Sequence, residues 1–139
     1  MSEYGCWTNA DPGGRAINER LERFVAHGDK PRLVHWDIWN TNVLVRRDDA
    51  SGKWKVAALL DPNCKFAHAE AEIAYMELFH TVTPAFMKQY QQRHRLPGEY
   101  HQFRKPIYQL YPIINHVRLF GEGYIKPLSA ALEKCSHLV

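Results

Sequence analysis

The residues best suited to chemistry gather between Leu33 and Asp61. In Leu33-Val34-His35-Trp36-Asp37-Ile38-Trp39-Asn40-Thr41-Asn42-Val43-Leu44-Val45 an aspartate stands five positions before an asparagine, and an apolar stretch follows. Asp61 comes nineteen residues after Asn42, at the end of a second apolar run. Phosphoryl transfer from a nucleotide needs such a set. One carboxylate orients the attacking hydroxyl and accepts its proton, while an amide oxygen and a second carboxylate hold magnesium against the phosphates. A loop and a strand end bring sequence-distant groups together on a rigid base. The same residues also suit a plainer role. Asp and Asn side chains bond their own backbone in turns, Asp61-Pro62 fits a simple strand exit, and an isolated D-x4-N arises by chance.

The elements that must position these groups follow from the period of the apolar residues. Arg32 to His35, Val43 to Val45 and Trp54 to Leu60 read as strands, with the last two pairing as a hairpin across a polar loop from Arg46 to Lys53. Polar clusters, Trp36 to Asn42 and Asp61 to Lys65, lie at the ends of that hairpin. Ile17, Leu21, Phe24 and Val25 share one face of a helix expected from Arg15 to His27. Ala69, Ile73 and Met76 do the same for a helix from Ala69 to His80. Thr83-Pro84 is a capping hydroxyl followed by proline, a helix start, and Leu96-Pro97-Gly98 is a stop. Ile107, Leu110, Tyr111, Ile114 and Val117 keep a helical period from Tyr100 to Phe120, where Pro106 and Pro112 should break or kink the helix. Gly121-Glu122-Gly123 ends it, and a last helix is expected from Pro127 to Ser136.

Composition narrows the classes. With 139 residues a single domain is expected. A 45% hydrophobic and 24% charged composition argues against disorder. No apolar run approaches the roughly 20 residues that span a bilayer, and Met1 to Ala10 lacks the pattern of a secretory signal. The net charge of +3 is not gathered into a stripe, since Arg46-Arg47 is followed at once by Asp48-Asp49. This argues against a nucleic-acid partner and suits a small anionic ligand. Cys6, Cys64 and Cys135 are widely spaced with no CxxC pair. That argues against a disulfide framework or a cysteine zinc site and is consistent with a reducing, cytoplasmic setting.

The wider pattern resembles the fructosamine kinase (ketosamine kinase) family, a relative of aminoglycoside phosphotransferases. Leu33 to Leu44 is similar to that family's L-x-H-G-D-L-W-S-G-N-V-L, and Leu60-Asp61-Pro62 to its I-D-P. Ala67-His68-Ala69-Glu70-Ala71-Glu72-Ile73-Ala74 resembles G-H-R-E-A-D-L-A, and Glu77-Leu78-Phe79 resembles E-L-F. Thr83 to Phe86, Tyr108 to His116 and Leu119 to Tyr124 resemble S-P-A-F, Y-Q-L-Y-H-L-L-N-H and L-F-G-G-G-Y. The similarity runs from about Leu33 to Tyr124, in order and with like spacing.

The resemblance implies an α+β, mostly helical fold: a protein-kinase-like C-terminal lobe with a small β-hairpin, occupying residues 1–139 as one unit. It implies ATP and magnesium as cofactors and a small sugar-amine as substrate, with no nucleic acid and no membrane as partner. Asp37 would be the catalytic base, and Asn42 and Asp61 would bind the nucleotide through magnesium. His35 would brace the loop, and Glu72 would anchor its backbone. Asn115 and His116 would face the sugar, or else simply sit on a helix kinked at Pro112. Trp39 is expected to pack structurally.

Three residues depart from the family pattern. Trp36 and Thr41 replace glycines beside Asp37 and Asn42, and Ala69 replaces an arginine. Glycine permits backbone shapes that a tryptophan resists. No G-x-G-x-x-G and no V-A-I-K-like strand is present, so a nucleotide-covering N-terminal lobe is expected to be absent. Two other readings remain: a non-catalytic binding relative, and an aminoglycoside-type phosphotransferase. A lobe without its partner is also expected to expose apolar surface and to self-associate.

Overall fold

The computed structural model describes residues 20–26 and 28–136. Residues 20–25 are helical and Ala26 lies past the helix end, while residues 15–19 and 27 of the helix expected from Arg15 to His27 lie outside the described residues, as does Cys6. Two small antiparallel strand pairs follow. β1 (Arg32–Val34) pairs with β4 (Lys65–Ala67), and β2 (Val43–Arg47) pairs with β3 (Trp54–Leu59). The β2–β3 hairpin matches the expectation, although β2 runs through Arg46 and Arg47 into the segment read as loop. Its turn is closed by the Asp48 side chain, which accepts from the Ser51 N–H at 2.8 Å, and by Gly52 at φ 65°. β4 was not legible beforehand. Three residues, Lys65-Phe66-Ala67, carry no alternating pattern, and only pairing with β1 makes them a strand.

The rest is helical: α1 (Ala69–Leu78), α2 (Pro84–Arg93), α3 (Lys105–Phe120) and α4 (Ile125–Ser136). Thr83 caps α2 as expected, its hydroxyl accepting from the Phe86 N–H at 3.2 Å with Pro84 in the first turn. The expected breaks at Pro106 and Pro112 do not occur. Residues Tyr100–Arg104 form a widened π turn, closed by the Lys105 N–H on the Tyr100 carbonyl, and Pro106 enters where the α ladder is already interrupted. α3 then continues unbroken through Pro112, which is buried. A proline removes one ladder bond, but packing on both sides keeps the helix continuous. Gly121, at φ 73°, ends α3, a backbone shape suited to glycine.

The core lies where α1 meets the π turn: Ile73, Ala74, Met76, Leu96 and Tyr100, with Ile38, Val82, Met87, Tyr90 and Tyr108 packed around it. A buried ion pair crosses it. Arg104 Nε and Nη2 donate to Glu70 Oε2 and Oε1 at 2.6 and 2.9 Å. Beside it, Glu77 accepts from the Tyr100 hydroxyl and from Lys105 Nζ at 2.8 Å, and Gln109 Nε2 donates to the Ala74 carbonyl at 2.9 Å. These bonds fix α3 against α1, the two helices that wall the site. Among the described residues, no helix is long and apolar enough to cross a membrane.

Candidate active site

The loop leaving β1 carries Asp37. Trp36 takes φ 63°, the left-handed region that suits the glycine otherwise expected there. Its N–H donates to Glu72 Oε1 at 2.8 Å, so the first turn of α1 holds the loop backbone. The Asp37 N–H donates to His35 Nδ1 at 3.3 Å. That bond puts the proton of a neutral His35 on Nε2, which is buried without a hydrogen-bond partner among the described residues. The Thr81 hydroxyl donates to the Ile38 carbonyl at 3.2 Å and ties down the far side of the loop.

Asn42 is buried, and its Nδ2 donates to both the Asp37 carbonyl and Asp37 Oδ2, each at 2.9 Å. This leaves the amide oxygen for another group. The Leu60 N–H donates to the Asn42 carbonyl at 2.9 Å and brings the end of β3 to the loop. Asp61, the next residue, has φ 48° and an exposed side chain. An amide oxygen and a carboxylate are hard oxygen donors of the kind magnesium takes, with water and phosphate oxygens completing its shell. Asn42 and Asp61 therefore fit that ion in kind. Among the described residues no group of three or more His, Cys, Asp or Glu side chains could hold a metal.

A cleft of about 170 Å³ is lined by Trp36, Asp37, Asn63, Tyr75, Tyr111, Pro112, Asn115, His116 and Leu119. Asp37, Asn115 and His116 thus share one cavity, while Asn42 joins it through Asp37, and Asp61 does not line it. The His116 Nδ1–H donates to the Pro112 carbonyl at 2.8 Å. Its ring packs against Phe79, Phe120 and Tyr124, at 4.8, 5.3 and 4.9 Å between centroids. Trp39, expected to pack, is exposed.

Tyr75 and Lys65 escaped the sequence reading. Tyr75 follows Ala74 on the core helix, and its hydroxyl donates to Asp37 Oδ1 at 2.5 Å. Burial above all, then the Asp37 carboxylate, pushes its pKa well above the ordinary phenol value. Both Asp37 oxygens are therefore engaged, Oδ1 by Tyr75 and Oδ2 by Asn42. The Lys65 ammonium lies 4.9 Å from the centre of the Trp36 ring and 4.8 Å from that of Tyr111. It also donates to the Tyr111 hydroxyl at 3.4 Å. Hydrogen bonds from Asn115 and Lys65 lower the Tyr111 pKa. No local signal marks a tyrosine in an apolar helix or a lysine in a three-residue strand. Their roles exist only across the fold.

A loop aspartate bonded to an asparagine five residues along, a strand pair behind them and a helical wall in front define a protein-kinase-like fold. The fold is α+β and mostly helical. The chain belongs to the fructosamine kinase family, whose family model matches residues 7–137. It is 37% identical over 108 residues to a probable ketoamine kinase of Vibrio parahaemolyticus, covering 78% of this chain and 35% of that protein. It is 30% identical over 120 residues to the probable ketoamine kinase YniA of Escherichia coli K12, covering 86% and 39%. A solved structure of a candidate fructosamine-3-kinase from Thermobifida fusca superposes with a TM-score of 0.68 at 26% identity, over 91% of this chain and 43% of that one. A second, from Haemophilus somnus, gives a TM-score of 0.62 at 23% identity over 91% and 39%, a likeness of fold. The chain spans about two-fifths of the length of these relatives.

Proposed function

We propose that this chain is the phosphate-transfer lobe of a ketosamine kinase, acting on a hydroxyl of a small sugar-amine adduct. The observation that carries this reading is the Asn42 amide on the Asp37 carboxylate at 2.9 Å, inside a loop pinned by Glu72. Asp37 orients the acceptor hydroxyl and takes its proton as the oxygen attacks. Asn42 Oδ1 and Asp61 would hold magnesium, which would neutralise charge on the phosphates. ATP, when bound, supplies the transferred phosphoryl group. Asn115 and His116, in the same cleft as Asp37, face the sugar. The acceptor hydroxyl competes with the Tyr75 hydroxyl for Asp37 Oδ1, so binding must turn Tyr75 aside.

The chain works as one unit that needs a nucleotide-covering lobe. Leu44, Val45, Trp54, Val56 and Leu59 leave an exposed apolar surface on the hairpin, where such a lobe or a second copy would seat. A cytoplasmic setting suits Cys64 and Cys135, both free. Alone, the chain turns over slowly or not at all, because holding reactants in place is worth about 7–11 kcal/mol of barrier. A specific observation favours a second reading, binding without turnover: both oxygens of Asp37 are already engaged.

The test is a coupled assay with a fructosamine-type substrate, ATP and magnesium. It compares the chain alone with the chain fused to the part of the Vibrio relative that it does not cover. The fusion should turn over, and Asp37→Asn should slow it by about 10²–10⁴, the usual worth of a positioned base. Equal rates in fusion and variant would remove Asp37 as the base. Robust turnover by the chain alone would remove the need for a second lobe. Ketosamine binding with no turnover in the fusion would select the binding reading.

A further inference from the structure

Trp36 and Tyr111 meet edge to face, with ring centres 6.0 Å apart at 64°, and both line the cleft of Asp37. The same two rings also line a second cleft of about 350 Å³, completed by Lys65, Ile107 and Tyr108. The side chains of Trp36 and Tyr111 therefore stand between the two clefts. A ligand reacting at Asp37 has a short way past it into a space large enough for a leucine or phenylalanine side chain.

The second cleft has a definite chemistry. Its walls are two aromatic rings at the rim, a third at Tyr108, and Ile107. Lys65 is the one charged residue among the described residues that line it. Its ammonium is held between the faces of Trp36 and Tyr111, and among the described residues no carboxylate forms an ion pair with it. Cation–π contact orients a cation without cancelling its charge. Register explains the placement. Lys65 pairs with Val34 across β1 and β4, which sets it beside the loop that begins at His35. Trp36 reaches it only because the Glu72 bond holds the loop at a left-handed turn.

We propose that this cleft is a subsite for the non-reacting end of the acceptor, and that it takes an apolar group bearing a carboxylate. The substrate class is then the sugar adduct of an apolar α-amino acid, with its side chain against Ile107 and Tyr108 and its carboxylate on Lys65. An adduct on the side-chain amine of lysine would bring an α-ammonium beside its carboxylate toward Lys65, with no apolar side chain for Ile107 and Tyr108, and is disfavoured. This proposal rests on the ketosamine reading above.

The test is calorimetric binding to the chain of N-fructosyl-phenylalanine, N-fructosyl-2-phenylethylamine (the same ring without the carboxylate) and Nε-fructosyl-lysine. The first should bind at least tenfold tighter than the other two. Lys65→Met should close that gap, and Lys65→Arg should keep it. Lys65→Gln, with melting temperatures compared throughout, replaces Lys65→Met if that variant does not fold. Equal affinities, or a gap that survives the loss of the charge, would overturn the subsite and show Lys65 to be a structural clamp. A further arm uses 3-phenylpropionate, which has no sugar. Binding that weakens in Lys65→Met, with no gain from adding the sugar, would sink the ketosamine reading and keep the subsite. Sugar-dependent binding with no preference for the carboxylate would do the reverse.

Discussion

Replacing Trp36 separates backbone strain from side-chain contact. At φ 63° a residue with a Cβ pays about 1–2 kcal/mol that glycine does not. Against this, the indole makes an edge contact with Tyr111, worth about 0.5–1.5 kcal/mol, and lies under the Lys65 ammonium, worth about 0.5–1 kcal/mol. Trp36→Ala loses both contacts and keeps the strain, so it should cost at least about 1–2.5 kcal/mol, with the lost burial of the half-buried indole added. Trp36→Gly loses the same contacts and sheds the strain, but glycine gives back about 0.5–1 kcal/mol through its freer unfolded chain. The glycine variant should thus be the more stable of the two by up to about 1.5 kcal/mol, the reverse of the order in a helix or strand. Urea unfolding followed by far-UV circular dichroism measures this, read as a midpoint change at constant slope. If Trp36→Ala proves as stable as Trp36→Gly or more so, the left-handed backbone is not held in solution, and the account of how Glu72 positions Asp37 fails with it.

Two other outcomes are expected. Glu70→Ala leaves Arg104 buried without its partner and should cost about 3–5 kcal/mol, while Glu70→Met with Arg104→Met should recover much of that; thermal melts of the two variants beside the unaltered chain check the order. Burial raises the pKa of Tyr108 to about 12 and those of Tyr75 and Tyr100 further. The unfolded chain therefore releases these phenol protons first, near pH 10. Their contribution is whole below that pH and is lost as pH rises through the folded values, so chemical denaturation at stepped alkaline pH should show falling stability from about pH 10, less steeply in Tyr75→Phe.

Much was decided by the sequence alone. The helices from Ala69, Thr83 and Tyr100 follow from apolar period and from a capping hydroxyl before a proline, which are local rules. The β2–β3 hairpin follows from two apolar runs around a polar turn. Asp37, Asn42 and Asp61 were picked out by residue type and spacing, and Glu72 by its place in the family pattern. Tertiary structure decided the rest. β4 is a strand only because β1 offers it bonds. α3 tolerates Pro106 beside a π turn and passes the buried Pro112 by packing, where an isolated helix would break. Tyr75 meets Asp37 across 38 positions, and Lys65 reaches Tyr111 across 46. Such contacts leave no trace in local pattern, because period and propensity report on neighbours along the chain. A hydrogen bond to a carboxylate or a cation over a ring depends on which faces the finished fold turns toward each other.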